Sequence, residues 1–216
     1  MVLHLLDFMP IIFFHPLEYL RLKENNRVKV KCIDPIRRTE FVKIKNVRWK
    51  VNPSLLISKN IQNADIVINT AIPKRHHSAD FSCALKNCFE CIYDTFRMYA
   101  HKKHLTEKEK GEIYFDKALA EFADAVRPEL TIVDARSILI KGGLILEGKA
   151  EVKKGLNKLI ISRDVVAVDS YCAQLMEEYD NTFESMKRVA RQIRYAENLG
   201  LGTGDLSKVE IIELKE

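Results

Sequence analysis

At 216 residues and 47% hydrophobic content, the chain is long enough to bury a real core, which excludes the disordered and fibrous classes. Its net charge of +5 is local, because residues 1–60 hold twelve Lys/Arg against five Asp/Glu and the remainder is acidic by two. No aromatic-interleaved basic motif accompanies that excess, so nucleic acid is not an expected partner. Five cysteines, with Cys83, Cys88, Cys91 and Cys172 in predicted helices, argue against a disulfide framework and for a reducing cytoplasm. Asp7, Pro10, His15 and Pro16 interrupt the apolar stretch 1–20, so neither a signal peptide nor a membrane span is expected.

In chain order, the first twenty residues have no clean period beyond a short helix around Leu17 to Leu22. Val28, Val30 and Cys32 alternate with lysines as in a half-exposed strand, and residues 41–47 alternate similarly, with Trp49 and Val51 extending a third β element. The run Ile66, Val67, Ile68 predicts a buried strand ending at Asn69. A polar loop follows, carrying Lys74, Arg75, His76 and His77. From Phe81 through Ala84, Leu85, Cys88, Phe89 and Ile92 to Phe96 the spacing predicts one helix over 79–99, with the basic loop at its N-terminus, a place that favours anions.

Thr106 and Glu109 have the spacing of a capping box ahead of a helix that Arg127-Pro128 stops. Residues 130–133 form a second apolar strand ending at Asp134, and residues 137–146 suggest a hairpin around Gly142-Gly143. A third short strand, residues 159–161, leads to Ser162 and Asp164, either of which can cap the helix 165–178. A last helix is closed by Gly200 and Gly202, and residues 209–214 supply a final strand. Gly200-Leu-Gly202-Thr-Gly204 follows a helix, which makes it a C-cap and not a nucleotide loop. Strand and helix alternate from residue 64 onward. The expected class is therefore α/β, one domain over 1–216, with a largely parallel central sheet, helices on both faces and a small N-terminal β element.

Several of these segments together resemble the family called domain of unknown function 362. They are Ala64-Asp65-Ile-Val-Ile-Asn69 with Lys74 and His76, Ala84-Leu85-Lys86-Asn87, Leu130-Thr-Ile-Val-Asp134, Ser162-Arg-Asp164-Val-Val-Ala-Val-Asp169 and Ala196-Glu-Asn-Leu-Gly200-Leu-Gly202. The resemblance covers residues 27–214, with 1–26 atypical, and it implies an N-terminally shortened member. Relatives with a ferredoxin module are described as iron-sulfur proteins. This chain has no Cys-x2-Cys-x2-Cys-x3-Cys run, so a cluster is not implied.

Ligands of open parallel sheets sit beyond the carboxyl ends of the strands, where Asn69, Asp134 and Asp164 fall under this reading. With Lys74 and His76 they would suit a phosphate or carboxylate, with a divalent metal possible and His76 and Asp134 as its weak candidate ligands. The competing reading makes Asp134 and Asp164 caps and the basic loop a solvated turn. Asp169 projects toward the apolar side of its helix, so it is either held by backbone amides or Lys86 or is a perturbed functional acid. Lys86 and Asn87 offer the same choice from a polar helix face. Cys83, Cys88 and Cys91 have plant-type cluster spacing but cannot converge from one continuous helix. The apolar N-terminal segment is expected to support a homodimer.

Overall fold

The computed structural model describes residues 2–5, 29–141 and 150–214. Two small β units come first in the chain. Strand β1 (Val2–Leu5) pairs in parallel with β2 (Lys29–Cys32), and β3 (Phe41–Lys45) pairs antiparallel with β4 (Ser54–Ser58). The short helix α1 (Lys59–Gln62) follows, its Ser58 cap accepting from the Asn60 amide. Trp49 and Val51 make no third strand; their loop is drawn instead onto buried carboxylates described below. The expected helix over 17–22 lies outside the described residues.

A five-stranded sheet carries the rest. Its strands are β5 (Ile68–Ala71), β6 (Lys74–His76), β7 (Asp80–Ser82), β8 (Leu130–Lys141) and β9 (Glu151–Ser162). β8 is the spine: β5 pairs in parallel with its first residues, Ile68 beside Leu130, and β6 with its far end, Lys74 beside Leu139. The flanking strands β7 and β9 run antiparallel. The class is thus α/β, parallel at the centre of the sheet.

Two expectations of strand length change. The strand at 130–133 does not stop at Asp134 but runs to Lys141, and residues 159–161 are the end of a twelve-residue β9 that forms a long hairpin with it. Gly155 and Asn157 take positive φ where the register slips, so β9 holds the irregularity between Lys154 and Lys158. The tip expected at Gly142-Gly143 lies outside the described residues. Residues 209–214 run beside the sheet without forming a strand.

The predicted helix over 79–99 is not one element. Residues 80–82 are β7, followed by α2 (Ala84–Asn87), a 3₁₀ turn (Cys88–Cys91) and, after a break, α3 (Asp94–Thr106). Tertiary contacts set the breaks: Ile92 is extended and bridges to Ile57, while the Tyr93 amide donates to the Leu56 carbonyl. Residues 81–86 are buried without interruption, Lys86 included, so the segment has no solvent face for a helical period to mark. The basic residues 74–76 are accordingly a strand, not a loop at a helix start.

Helix α4 (Lys108–Val126) is the post of the molecule. Its cap is Glu107 and not the Thr106 box, because Thr106 ends α3 and donates its hydroxyl to the Lys102 carbonyl. Arg127, left-handed at φ 45°, ends the helix before Pro128. Phe115, Leu119, Phe122 and Ala123 bury one stripe against the core. Three buried carboxylates on the same helix each hold a distant segment. Asp116 accepts from Arg188, Arg191 and Gln192; Glu121 accepts from the amides of Lys50, Val51 and Asn52; Asp124 accepts from Asn46, Trp49 and Arg127.

The last two helices are α5 (Val165–Tyr179) and α6 (Arg188–Asn198). Asp164 caps α5 as expected, accepting from Val166 and Ala167, and its second oxygen accepts from Thr203 at 2.9 Å. Gly202 is required there, since a Cβ would lie 1.8 Å from the Asp164 carboxylate. Among the described residues no helix is long and apolar enough to cross a membrane.

Candidate functional site

The centre of the predicted site survives as a connected polar group. Asn69 leaves β5 on its buried face and donates its amide to the Ala84 carbonyl at 2.9 Å, while its oxygen accepts from Asn87 at 2.6 Å. Asn87 also donates to the Thr70 carbonyl. Asp169 reaches across from α5 and accepts from the amides of Ala84 and Leu85, at 2.7 and 3.1 Å. It therefore caps α2 from another helix, which is the structural one of its two readings. Burial nevertheless pushes its carboxyl up to about 7, against the lowering effect of those amides.

Beyond this group lies a cationic and imidazole cluster. Lys86 is buried, not on a polar face: its ammonium stands 3.7 Å from the Phe89 ring centre and 3.4 Å from Glu90. Burial holds its pKa below the ordinary lysine value, with Glu90 opposing the shift. Burial would raise Glu90, but Lys86 and Arg97, the latter at 2.8 Å, outweigh it and keep the carboxyl low.

His76 is anchored by the hairpin it starts. Its Nδ1 accepts from the backbone amides of Ser78 and Ala79, at 3.1 and 3.2 Å, which leaves the proton of the neutral ring on Nε2. Ala79 is thus part of a β-hairpin, not a free helix terminus. Burial lowers the His76 pKa to about 3, and Lys86, His101, His77 and Lys74 all push the same way. Lys74 has no ion-pair partner among the described residues.

His101 stacks near His76, with ring centres 6.3 Å apart, and packs on Phe89 and Phe115. Burial and Lys86 lower it to about 4. Ser78 joins the two sides, its hydroxyl 3.2 Å from His101 Nδ1 and 3.3 Å from His77 Nδ1. His101, Ser78, Glu90 and Arg97 were not singled out from the sequence. The available signal was the polar stripe Arg97, His101, His104 at i, i+4, i+7 on α3, which faces inward.

Two predicted site residues lie elsewhere. Asp134 is bound to Arg136 at 2.6 Å, which holds its carboxyl below the usual range. Lys74 is the register partner of Leu139, five residues along β8 from Asp134 and past the irregularity between Ala135 and Ser137. Asp164 is engaged at both oxygens in the α5 cap and the Thr203 bond. No group of three or more His, Cys, Asp or Glu side chains is placed to hold a metal among the described residues. Cys83, Cys88 and Cys172 are buried free thiols, and burial pushes Cys91 up to about 12 and Cys83 and Cys88 well above the ordinary thiol range. A separate groove of about 700 Å³ runs between β9, α5 and residues 206–214 and includes none of the predicted residues.

A family model described as "Domain of unknown function (DUF362)" matches residues 17–174, most of the chain. The chain belongs to the DUF362 family. The matched range begins earlier than the resemblance read from the sequence and stops within α5, so α6 and the Gly200–Gly202 closure lie beyond it. It contains β5 to β9, Asn69, Lys74, His76, Lys86, Asn87 and Asp169, so the whole polar cluster is DUF362 sequence. A curated relative, the thylakoid-associated protein sll1697 of Synechocystis sp., is 27% identical over 135 residues, which is 61% of this chain and 39% of the relative. The chain therefore spans about two fifths of that protein's length. No solved structure matches.

Proposed function

We propose that the protein binds an anionic small molecule, a phosphate or carboxylate, against Lys74, His76 and Lys86. The observation that supports this reading is the field at His76: the ammonium groups of Lys86 and Lys74 both act on its ring, beside the imidazoles of His101 and His77. A neutral imidazole with its proton on Nε2 remains free to donate, and Lys74 lies within electrostatic reach of both His76 and Lys86. An anion placed there gains charge-assisted hydrogen bonds and relieves the mutual repulsion of the cations. Glu90 and Arg97 keep Lys86 fixed, while Asn69, Asn87 and Asp169 hold α2 under it. Asp134 and Asp164 have no part in this binding reading, and neither does a metal. Whether a bound ligand is also transformed would depend on Ser78 and the two histidines, whose imidazoles stay neutral across the physiological range.

The expected result is saturable binding of inorganic phosphate or a simple dicarboxylate, followed by calorimetry and by the His76 ring signals in NMR. Lys74→Ala should weaken it by about 1–3 kcal/mol, the value of a hydrogen bond to a charged group, with an unchanged melting temperature. Equal binding by the variant would sink the reading. The protein is also proposed to work as a homodimer.

A further inference from the structure

The turn between β6 and β7 holds His77, Ser78 and Ala79, and its serine hydroxyl lies between two imidazoles. Ser78 Oγ is 3.2 Å from His101 Nδ1 on α3 and 3.3 Å from Nδ1 of the adjoining His77. A hydroxyl carries one proton, so it donates to one of these nitrogens and accepts from the other. With a single proton on each ring, the two imidazoles are then opposite tautomers, Nδ1–H on one and Nε2–H on the other. His77 is exposed, Ser78 is buried, and His101 packs on Phe89 and Phe115 with its ring beside that of His76. The three side chains thus lead from solvent to the edge of the cationic cluster. Backbone bonds fix the middle one, since the Ser78 amide donates to His76 Nδ1 and the Ser78 carbonyl accepts from Arg188.

We propose that His77, Ser78 and His101 form a proton relay between solvent and the anion site. The relay rests on the anion-binding reading for the acceptor at its inner end. For inward transfer, His77 Nε2 takes a proton from a buffer acid in solvent and His77 Nδ1 passes its own proton to Ser78 Oγ. The hydroxyl proton moves to His101 Nδ1, and His101 Nε2, the ring nitrogen remote from Ser78, releases its proton to the bound anion. Each ring ends with one proton, as the other tautomer, and the serine keeps its hydroxyl, so no ring is left charged. The reverse sequence withdraws the proton and restores the starting tautomers. Passage without a charged ring matters here, because burial and Lys86 hold His101 at about 4 and it stores no proton as imidazolium at neutral pH. His76 cannot take its place. The amides of Ser78 and Ala79 occupy its Nδ1, so it stays a fixed donor through Nε2.

Nitrogen-15 NMR of the histidine rings in the natural chain, with no ligand added, tests the relay. His77 and His101 should exchange tautomers at one shared rate, slower in heavy water, while His76 stays a single tautomer. Ser78→Ala keeps the backbone bonds and removes the hydroxyl. It should slow exchange at His101 by roughly a hundredfold, the lower end of what a positioned proton-transfer group contributes, and Ser78→Thr should restore the rate. His77→Phe alters only an exposed ring and should slow His101 equally, so the outcome does not depend on how Ser78→Ala folds. Shared exchange in a chain that binds no inorganic phosphate supports the relay and sinks the binding reading alone. His101 locked in one tautomer in the natural chain overturns the relay, and so does an exchange rate that Ser78→Ala and His77→Phe leave unchanged.

Discussion

Asp116→Ala is expected to cost about 3–5 kcal/mol, the range for removing one partner of a buried ionic group. Asp116 is fully buried and is the only carboxylate that contacts Arg188, Arg191 and Gln192 together among the described residues. Without it, Arg188 and Arg191 keep the half-exposed Glu112 and lose their buried acceptor, and α6 loses its buried hold on α4. The Ser78 carbonyl also accepts from Arg188, so the hairpin that positions His76 loosens with it. Urea unfolding should show the loss directly, and phosphate binding should weaken in parallel. An effect under about 1 kcal/mol, the size of an exposed pair, would contradict the clamp.

The second large effect is a pH dependence that belongs to Asp169. Its folded pKa is raised to about 7 from an ordinary 3.8, so the folded state holds a proton that the unfolded chain releases between those values. Stability from this group is therefore greatest below about pH 4, falls as pH rises and levels off above pH 7, a total of roughly 4 kcal/mol. The direction is opposite to that of a salt-bridged carboxylate. Asp169→Asn, which keeps an acceptor for the α2 amides without ionising, should flatten the profile over that interval. Unfolding free energies at pH 5 and pH 8 for both chains decide it; a variant with the natural slope would assign the titration elsewhere.

What could be read from the residues was what depends on neighbours in the chain. The Asp164 cap, the strand start at Leu130 and the α5 boundaries are local and fall where the spacing puts them, whereas the buried strand expected over Ile66 to Asn69 forms at Ile68–Ala71, with Ile66 and Ile68 exposed. The apolar run 130–133 ends well before β8 does, because Asp134 and Arg136 lie on an open face and alternating polar residues there look like the end of a strand. The helical spacing over 79–99 runs through a segment whose breaks are made by Asp169 and Ile57, partners 84 and 35 residues away, counted from Leu85 and Ile92. The site divides in the same way. Asn69, Asn87, Lys86 and His76 are near one another in sequence and were grouped, whereas His101 enters from a helix whose inward stripe is polar. Asp134 joins them only if its strand ends there, whereas β8 runs on to Lys141 and Asp134 pairs with Arg136.

The pairing of β8 also orders assembly. Closing β8 on β9 brings Lys141 to Glu151 across ten positions, whereas closing β5 on β8 brings Ile68 to Leu130 across sixty-two. Loop-closure entropy makes the second event costlier by roughly 1.6 kcal/mol, and α2 to α4 must be accommodated inside that loop. The hairpin is then the early structure, and the parallel ladder that carries Asn69 to α2 is a late one. Amide exchange should accordingly find β9 opposite β8 protected longer than β5. Opening would begin at β5 and dismantle the proposed anion site while the β8–β9 hairpin stands, so the proposed binding would be lost well before the fold.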